Sequence, residues 1–135
     1  MKPRYMLDTN MCIYLMRDRP EEVARRFARC YAGEVVISAV TLAELEYGVV
    51  CSGADQQQNQ RALDALLEDI PAAPFDGAAA RAYSPIRLAT RAKTRDALDK
   101  LIAAHAVSLD VTLVTNNESD FAGYPGLKSE NWLRA

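Results

Sequence analysis

A single histidine and three cysteines leave this chain little of the donor chemistry on which many enzymes rely. Cys12, Cys30 and Cys51 form an odd set with no Cys-x-x-Cys spacing, which argues against a disulfide framework and against a cysteine zinc site. They are expected as reduced residues on helices. His105, alone of its kind, excludes a His-rich metal site and makes a Ser-His-Asp triad unpromising. Long apolar runs are missing too. Leu101 to Val114 is interrupted by His105, Ser108, Asp110 and Thr112, and Val35 to Val50 carries Glu44 and Glu46, so neither segment suits a bilayer. No long uncharged stretch precedes Asp8, so the N-terminus does not read as a signal peptide. The expectation is a cytoplasmic protein with no membrane partner, and with no repeat, linker or low-complexity tract.

What is present suits one compact unit. The chain has 135 residues, half of them apolar, enough for a real core and too few for two domains, so residues 1–135 are expected to form a single domain. The net charge of -2 conceals an alternation along the chain: residues 1–31 carry +3, residues 32–78 carry -7 and residues 79–100 carry +4. Two basic segments flanking an acidic one would let a phosphate-bearing substrate approach a metal site, although each basic run is also what a solvated helix face looks like.

Hydrophobic periodicity orders the elements. Tyr5-Met6-Leu7 predicts a short strand, and Asp8-Thr9-Asn10 supplies cap-type residues before a helical pattern at Met11, Ile13, Tyr14 and Leu15. Pro20 predicts the start of a second helix, which Gly33 breaks. Val35-Val36-Ile37 predicts a buried parallel strand, and Thr41-Leu42-Ala43-Glu44 has the form of a capping box opening a third helix. Further helices are predicted over Gln56 to Asp69, from Asp76 or Gly77 to about Ala92 despite Pro85, and over Asp96 to Leu109. Ala72 to Phe75 and Val111 to Val114 read as strands. Strands separated by helices imply an α/β fold with a central parallel sheet and helices on both faces, whose working site lies beyond the carboxyl ends of the strands.

Three acids are expected at that edge: Asp8 after the first strand, Glu44 at a helix start, and Asp99 in the first turn of its helix. Each has a structural explanation of its own. Asp8 can cap a helix, Glu44 can complete the capping box, and Asp99 complements a helix N-terminus, a role for which Asp96 competes. Their joint placement argues for function, because clustered carboxylates are the ligands of hard divalent cations that hydrolyse phosphodiesters. Asn117, beyond the strand Val111 to Val114, could orient water or ligate weakly. Asp120 is a possible fourth acid. His105, on an apolar helix, reads as a packed core residue, and Trp132 as the seal of the core.

Taken in order, Tyr-Met-Leu-Asp8-Thr-Asn, Thr-Leu-Ala-Glu44-Leu-Glu-Tyr-Gly, Leu-Asp99-Lys-Leu-Ile-Ala-Ala-His-Ala, Leu-Val-Thr115-Asn-Asn117 with Phe121, and Pro125-Gly126-Leu with Glu130-Asn-Trp132 resemble the VapC-type PIN-domain toxins from end to end. The resemblance implies a PIN domain with a parallel sheet of about four or five strands. It also implies a Mg²⁺- or Mn²⁺-dependent endoribonuclease, the toxin of a type II toxin–antitoxin pair, held in check by a VapB-type antitoxin. Asp8 and Asp99 match the principal metal ligands and Glu44 the third acid. Thr115 and Asn117 match the polar strand-exit positions. Family members are generally homodimers, and relatives often cut transfer RNA in the anticodon loop, which stops translation. Water attack would leave a 5′-phosphate and a 3′-hydroxyl. The chain departs from the pattern at Asn117, where many PIN nucleases have Asp, leaving the site one charge poorer and the number of metals open. It departs again at Arg95-Asp96, where many relatives have Ile-Gly, which makes Asp96 a rival acid.

Two other classes remain. A haloacid-dehalogenase-like phosphatase also places an Asp after its first strand but needs a second Asp two residues on, where Asn10 stands. A non-catalytic partner-binding module with a vestigial acidic cluster would dock through helices such as Pro20 to Tyr31.

Overall fold

The computed structural model describes residues 2–17 and 21–133. Five strands form one sheet, in the order β3-β2-β1-β4-β5: β1 (Tyr5–Leu7), β2 (Val35–Ser38), β3 (Ala72–Ala73), β4 (Thr112–Val114) and β5 (Lys128–Glu130). All neighbours are parallel, with Tyr5 opposite both Val35 and Thr112. Parallel pairing demands crossovers, supplied by α1 (Thr9–Arg17), α2 (Glu21–Ala28), α3 (Ala39–Val50), α4 (Gln56–Asp69), α5 (Gly77–Ala89) and α6 (Ala97–Leu109). The expected α/β class therefore holds. The start of the second helix expected at Pro20 lies outside the described residues.

The two-residue period of the strands divides the core. Leu7, Val35, Ile37 and Val114 face one side and pack with Met11 and Leu15 of α1, Val23 of α2, Leu45 and Val49 of α3 and Leu63 of α4. Met6, Val36 and Leu113 face the other, against Ile86 of α5 and Ile102, Ala103 and Ala106 of α6. Strands buried on both faces explain why their sequences are continuously apolar. Each large side chain buried in this way contributes roughly 1.5–3 kcal/mol.

Two local expectations need correction. The third helix begins at Ala39, not at Thr41: Ser38 is its N-cap and accepts a hydrogen bond from the Val40 amide at 3.0 Å. Thr41 is instead fully buried, and its hydroxyl has no partner among the described residues. Glu44 is thus the sixth residue of α3, where no cap requires it. Of the cysteines, Cys12 lies in α1, but Cys30 follows α2 and Cys51 is the C-cap residue of α3; all three are free thiols. The fifth strand, β5, has no apolar alternation, and two of its three residues are exposed. Its geometry is fixed from outside. Glu130 Oε1 accepts from Arg26 Nη2 at 2.7 Å and from Trp132 Nε1 at 3.2 Å. Trp132 is buried and meets Tyr5 edge-on at 5.2 Å between ring centroids, closing the core as expected.

Candidate functional site

In the order β3-β2-β1-β4-β5, crossovers run one way from β1 to β2 and the other way from β1 to β4. The carboxyl ends of β1 and β4 therefore form the topological switch point where open α/β sheets bind ligands. Asp8 leaves β1 there and Thr115 leaves β4. The Asp8 amide donates to the Val114 carbonyl at 3.0 Å, which fixes the two exits side by side.

Asp8 is buried and doubly held. Its Oδ1 accepts from the Met11 amide at 2.9 Å, the helix-capping bond expected of it, and the buried Thr115 hydroxyl also bonds its carboxylate. Thr115 Oγ1 in turn accepts from the Asn117 amide at 3.0 Å. The Asp8 pKa is nonetheless raised: burial is the largest cause, opposed by the Thr115 and Met11 bonds and reinforced by the charges of Glu44 and Asp120. Capping and function are thus not exclusive at this residue.

Asp99 occupies the first turn of α6. Its pKa is pushed up to about 6 by burial and then by the charges of Asp8, Glu44, Asp120 and Asp96. Five carboxylates from four segments, with Asp96 and Asp99 sharing the start of α6, therefore share one neighbourhood, which three independent caps would not produce. Glu44 reaches it from α3 and accepts at Oε1 from the Thr9 hydroxyl at 2.6 Å. Among the described residues no three His, Cys, Asp or Glu side chains stand as a ready metal-ligand group. Like charges oppose such closure: two carboxylates about 4 Å apart repel by about 4 kcal/mol at an effective dielectric of about 20. The donor set, all hard oxygen, fits Mg²⁺ or Mn²⁺ and not zinc or copper.

The remaining predicted residues divide clearly. Asn117 is exposed, and among the described residues its side chain makes no hydrogen bond; its amide works through Thr115. Asp96 is committed to structure. Burial pushes its carboxyl up, but the Tyr124 hydroxyl and Lys100, whose Nζ lies 3.3 Å away, outweigh that and hold it below the usual range. Asp120 is exposed but is felt electrostatically by both Asp8 and Asp99, and it closes the 3₁₀ turn Glu118–Phe121 with Phe121 buried. Its signal in the sequence is its place just before that apolar anchor. His105 is the packed residue expected, its Nδ1 2.8 Å from Ser38 Oγ and its ring edge-on to Phe75. Lys93 and Thr94 carry no signal of their own in the sequence, and Arg95 only that of the Arg95-Asp96 departure. With Asp96, Asp99 and Asp120 they line an open cleft of about 450 Å³.

This parallel sheet with acids at its switch point matches the PIN domain family over residues 5–127. The tRNA(fMet)-specific endonuclease VapC of Shigella flexneri is 36% identical over 131 residues, spanning 96% of this chain and 98% of that protein. Ribonuclease VapC2 of Rickettsia felis is 36% identical over 133 residues, spanning 95% and 97% respectively. Among solved structures, DNA-bound VapBC from Salmonella typhimurium superposes with a TM-score of 0.88 at 33% identity, over 96% of this chain and 98% of that one. The chain belongs to the VapC-type PIN-domain ribonuclease toxins. That membership displaces the haloacid-dehalogenase alternative.

Proposed function

We propose that this protein is a divalent-metal-dependent endoribonuclease that hydrolyses transfer RNA, in or near the anticodon loop, and thereby stops translation in the cytoplasm. The observation that carries the proposal is the convergence of acids at the sheet's switch point: the 2.6 Å Thr9–Glu44 bond brings Glu44 to the start of α1 next to Asp8, and the charges of both act on Asp99 in the open cleft. A Mg²⁺ or Mn²⁺ ion held by Asp8, Glu44 and Asp99 would supply the Lewis acidity that activates water and offsets charge on the phosphate. The chain's own residues prepare that site. Thr115 and the Met11 amide fix the Asp8 carboxylate, and Thr9 fixes Oε1 of Glu44. Asn117 faces solvent beside them as a polar group for substrate or water. No histidine or serine nucleophile is needed, in keeping with the structural role of His105.

The same reading includes a VapB-type antitoxin and a homodimer. Relatives of known structure are VapBC toxin–antitoxin complexes, among them one from nontypeable Haemophilus influenzae. Two apolar side chains of α3, Tyr47 and Val50, are 72% and 64% exposed, which supports a protein partner on this face.

Incubating the purified chain with total transfer RNA, in Mg²⁺ or in EDTA, tests the activity. Discrete cuts bearing 5′-phosphates in Mg²⁺ are expected, with silence in EDTA and from Asp8→Asn. Equal cutting by Asp8→Asn would remove the site assignment, and no cutting by the wild-type chain would return the protein to the class of partner-binding modules.

A further inference from the structure

Lys93 and Arg95, in the segment between α5 and α6, line the acidic cleft, Lys100 of α6 pairs with its Asp96, and the structure treats the three cations differently. Lys100 is buried: its Nζ donates to the carbonyls of Thr90, at 3.0 Å, and of Lys93, and lies 3.3 Å from Asp96. Lys93 reaches across to the carbonyls of Asp120, at 3.3 Å, and Ala122, at 3.4 Å, with its ammonium over the Tyr124 ring. Asp96 receives the Tyr124 hydroxyl. Residues 90–96 are therefore pinned from below by Lys100 and from the side by Lys93 and Tyr124. Arg95 is the exception. It is exposed, it lines the cleft with Asp99 and Asp120, and among the described residues it forms no hydrogen bond or ion pair.

A guanidinium left unpaired beside a group of carboxylates, on a loop that two lysines hold rigid, is arranged to meet an anion arriving from outside. Arg presents a planar fork that grips phosphate oxygens in pairs, and a preordered backbone lowers the entropic cost of doing so. We infer that Arg95 binds a backbone phosphate of the RNA next to the bond being cut, while Lys93 and Lys100 hold the loop that presents it. This rests on the ribonuclease reading above and assigns it a substrate subsite. The subsite has a second purpose in that setting: it offsets the repulsion that the acids at the cleft floor exert on the RNA strand.

The test compares the wild-type chain with Arg95→Gln, using Arg61→Gln on the opposite face of the sheet as a control of equal charge change. Binding of a fluorescent anticodon stem-loop RNA is measured in EDTA over a range of salt, and cleavage of the same hairpin in Mg²⁺. Arg95→Gln should raise KM roughly tenfold with kcat within about twofold, and should flatten the slope of log affinity against log salt by about 0.7 to 1, the loss of one phosphate contact. Arg61→Gln should change neither. If the wild-type chain cuts the hairpin and Arg95→Gln matches it in KM and salt slope, the subsite is wrong while the nuclease reading stands. If the wild-type chain binds without cutting, the slope change alone upholds the subsite and the nuclease reading fails. Absence of binding by the wild-type chain overturns both.

Discussion

The Thr9 hydroxyl donates to Glu44 Oε1 at 2.6 Å, joining the first residue of α1 to the middle of α3. The bond spans the two helices that follow β1 and β2, so it converts a shared sheet edge into a shared site. Hydrogen bonds to a charged group contribute about 1.5–3 kcal/mol where both partners are held. Thr9→Val keeps the side chain's shape and removes the donor. RNA cleavage should fall on the order of tenfold or more with little change in melting temperature, and Thr9→Ser should restore most of it. A Thr9→Val enzyme with the wild-type rate would detach Glu44 from the chemistry.

Asp99 gives a prediction in stability as well as in activity. Its folded pKa of about 6 lies above the value of about 3.9 of an unfolded aspartate, so between those limits the folded state binds more protons than the unfolded one. Metal-free stability should therefore decline on this account as pH rises from about 4 to about 6, and level off above. Asp8 acts in the same direction. Asp99→Asn removes the repelled charge, so in EDTA at neutral pH it should be more stable than wild type, by no more than about 1 kcal/mol because solvent screens a half-exposed carboxylate, yet inactive on RNA. Urea titrations of both proteins at pH 4.5 and pH 7.5 read the difference. A variant destabilised equally at both pH values would show that Asp99 is there to hold the helix end.

How much of this was legible beforehand depends on which residues carried periodic or capping signals. Asp8 and Asp99 were placed correctly because each follows an unambiguous element boundary. Glu44 is legible from its place in the helix after the second strand, with a capping box as the competing structural explanation. Thr41-x-x-Glu44 has the spacing of a capping box, but Ser38, three residues before Thr41, takes the cap, and the bond its side chain accepts from the Val40 amide sets the start. Strand β5 left no trace because Lys128-Ser129-Glu130 is polar on both faces; its pairing with β4 and the Glu130 contacts to Arg26 and Trp132 are long-range facts. Arg95 is obscure for the same reason, being exposed and locally ordinary, whereas Asp120 is legible as a possible fourth acid and tertiary proximity to Asp99 gives it its place.

Ser38 and His105 form a buried bridge between the start of α3 and the middle of α6. His105 Nδ1 and Ser38 Oγ lie 2.8 Å apart, and the same Ser38 oxygen accepts from the Val40 amide at 3.0 Å. Burial depresses the His105 pKa, with Asp76 and the Pro74 bond opposing it. This group's contribution is therefore complete above the unfolded value of about 6.5 and is lost as pH falls towards its lower folded pKa. Ser38→Ala should cost about 1–3 kcal/mol at pH 7.5 through the lost cap and the orphaned ring nitrogen. Denaturant melts across pH 5 to 8 should show His105→Gln with a weaker loss of stability on the acid side than wild type. Parallel curves for the two proteins would mean that His105 titrates in the fold as it does in water.

Trp132 is the lone tryptophan, and its setting makes it a reporter for the C-terminal closure of the sheet. Its indole N–H shares Glu130 Oε1 with Arg26, whose guanidinium also lies 5.2 Å from the Trp132 ring, and Tyr5 of the central strand abuts it edge-on. The contacts are unequal in energy. The Arg26–Glu130 pair is more than a third exposed on both sides and so contributes at most about 1 kcal/mol, whereas removing a buried indole costs about 3–5 kcal/mol. Trp132→Ala should therefore destabilise the domain severely by circular dichroism melts. Arg26→Ala should shift the midpoint only slightly while changing the Trp132 emission, because it strips the cation from the ring face without opening the core. If Arg26→Ala proved as damaging as Trp132→Ala, the ion pair and not the aromatic seal would be what holds β5 against β4.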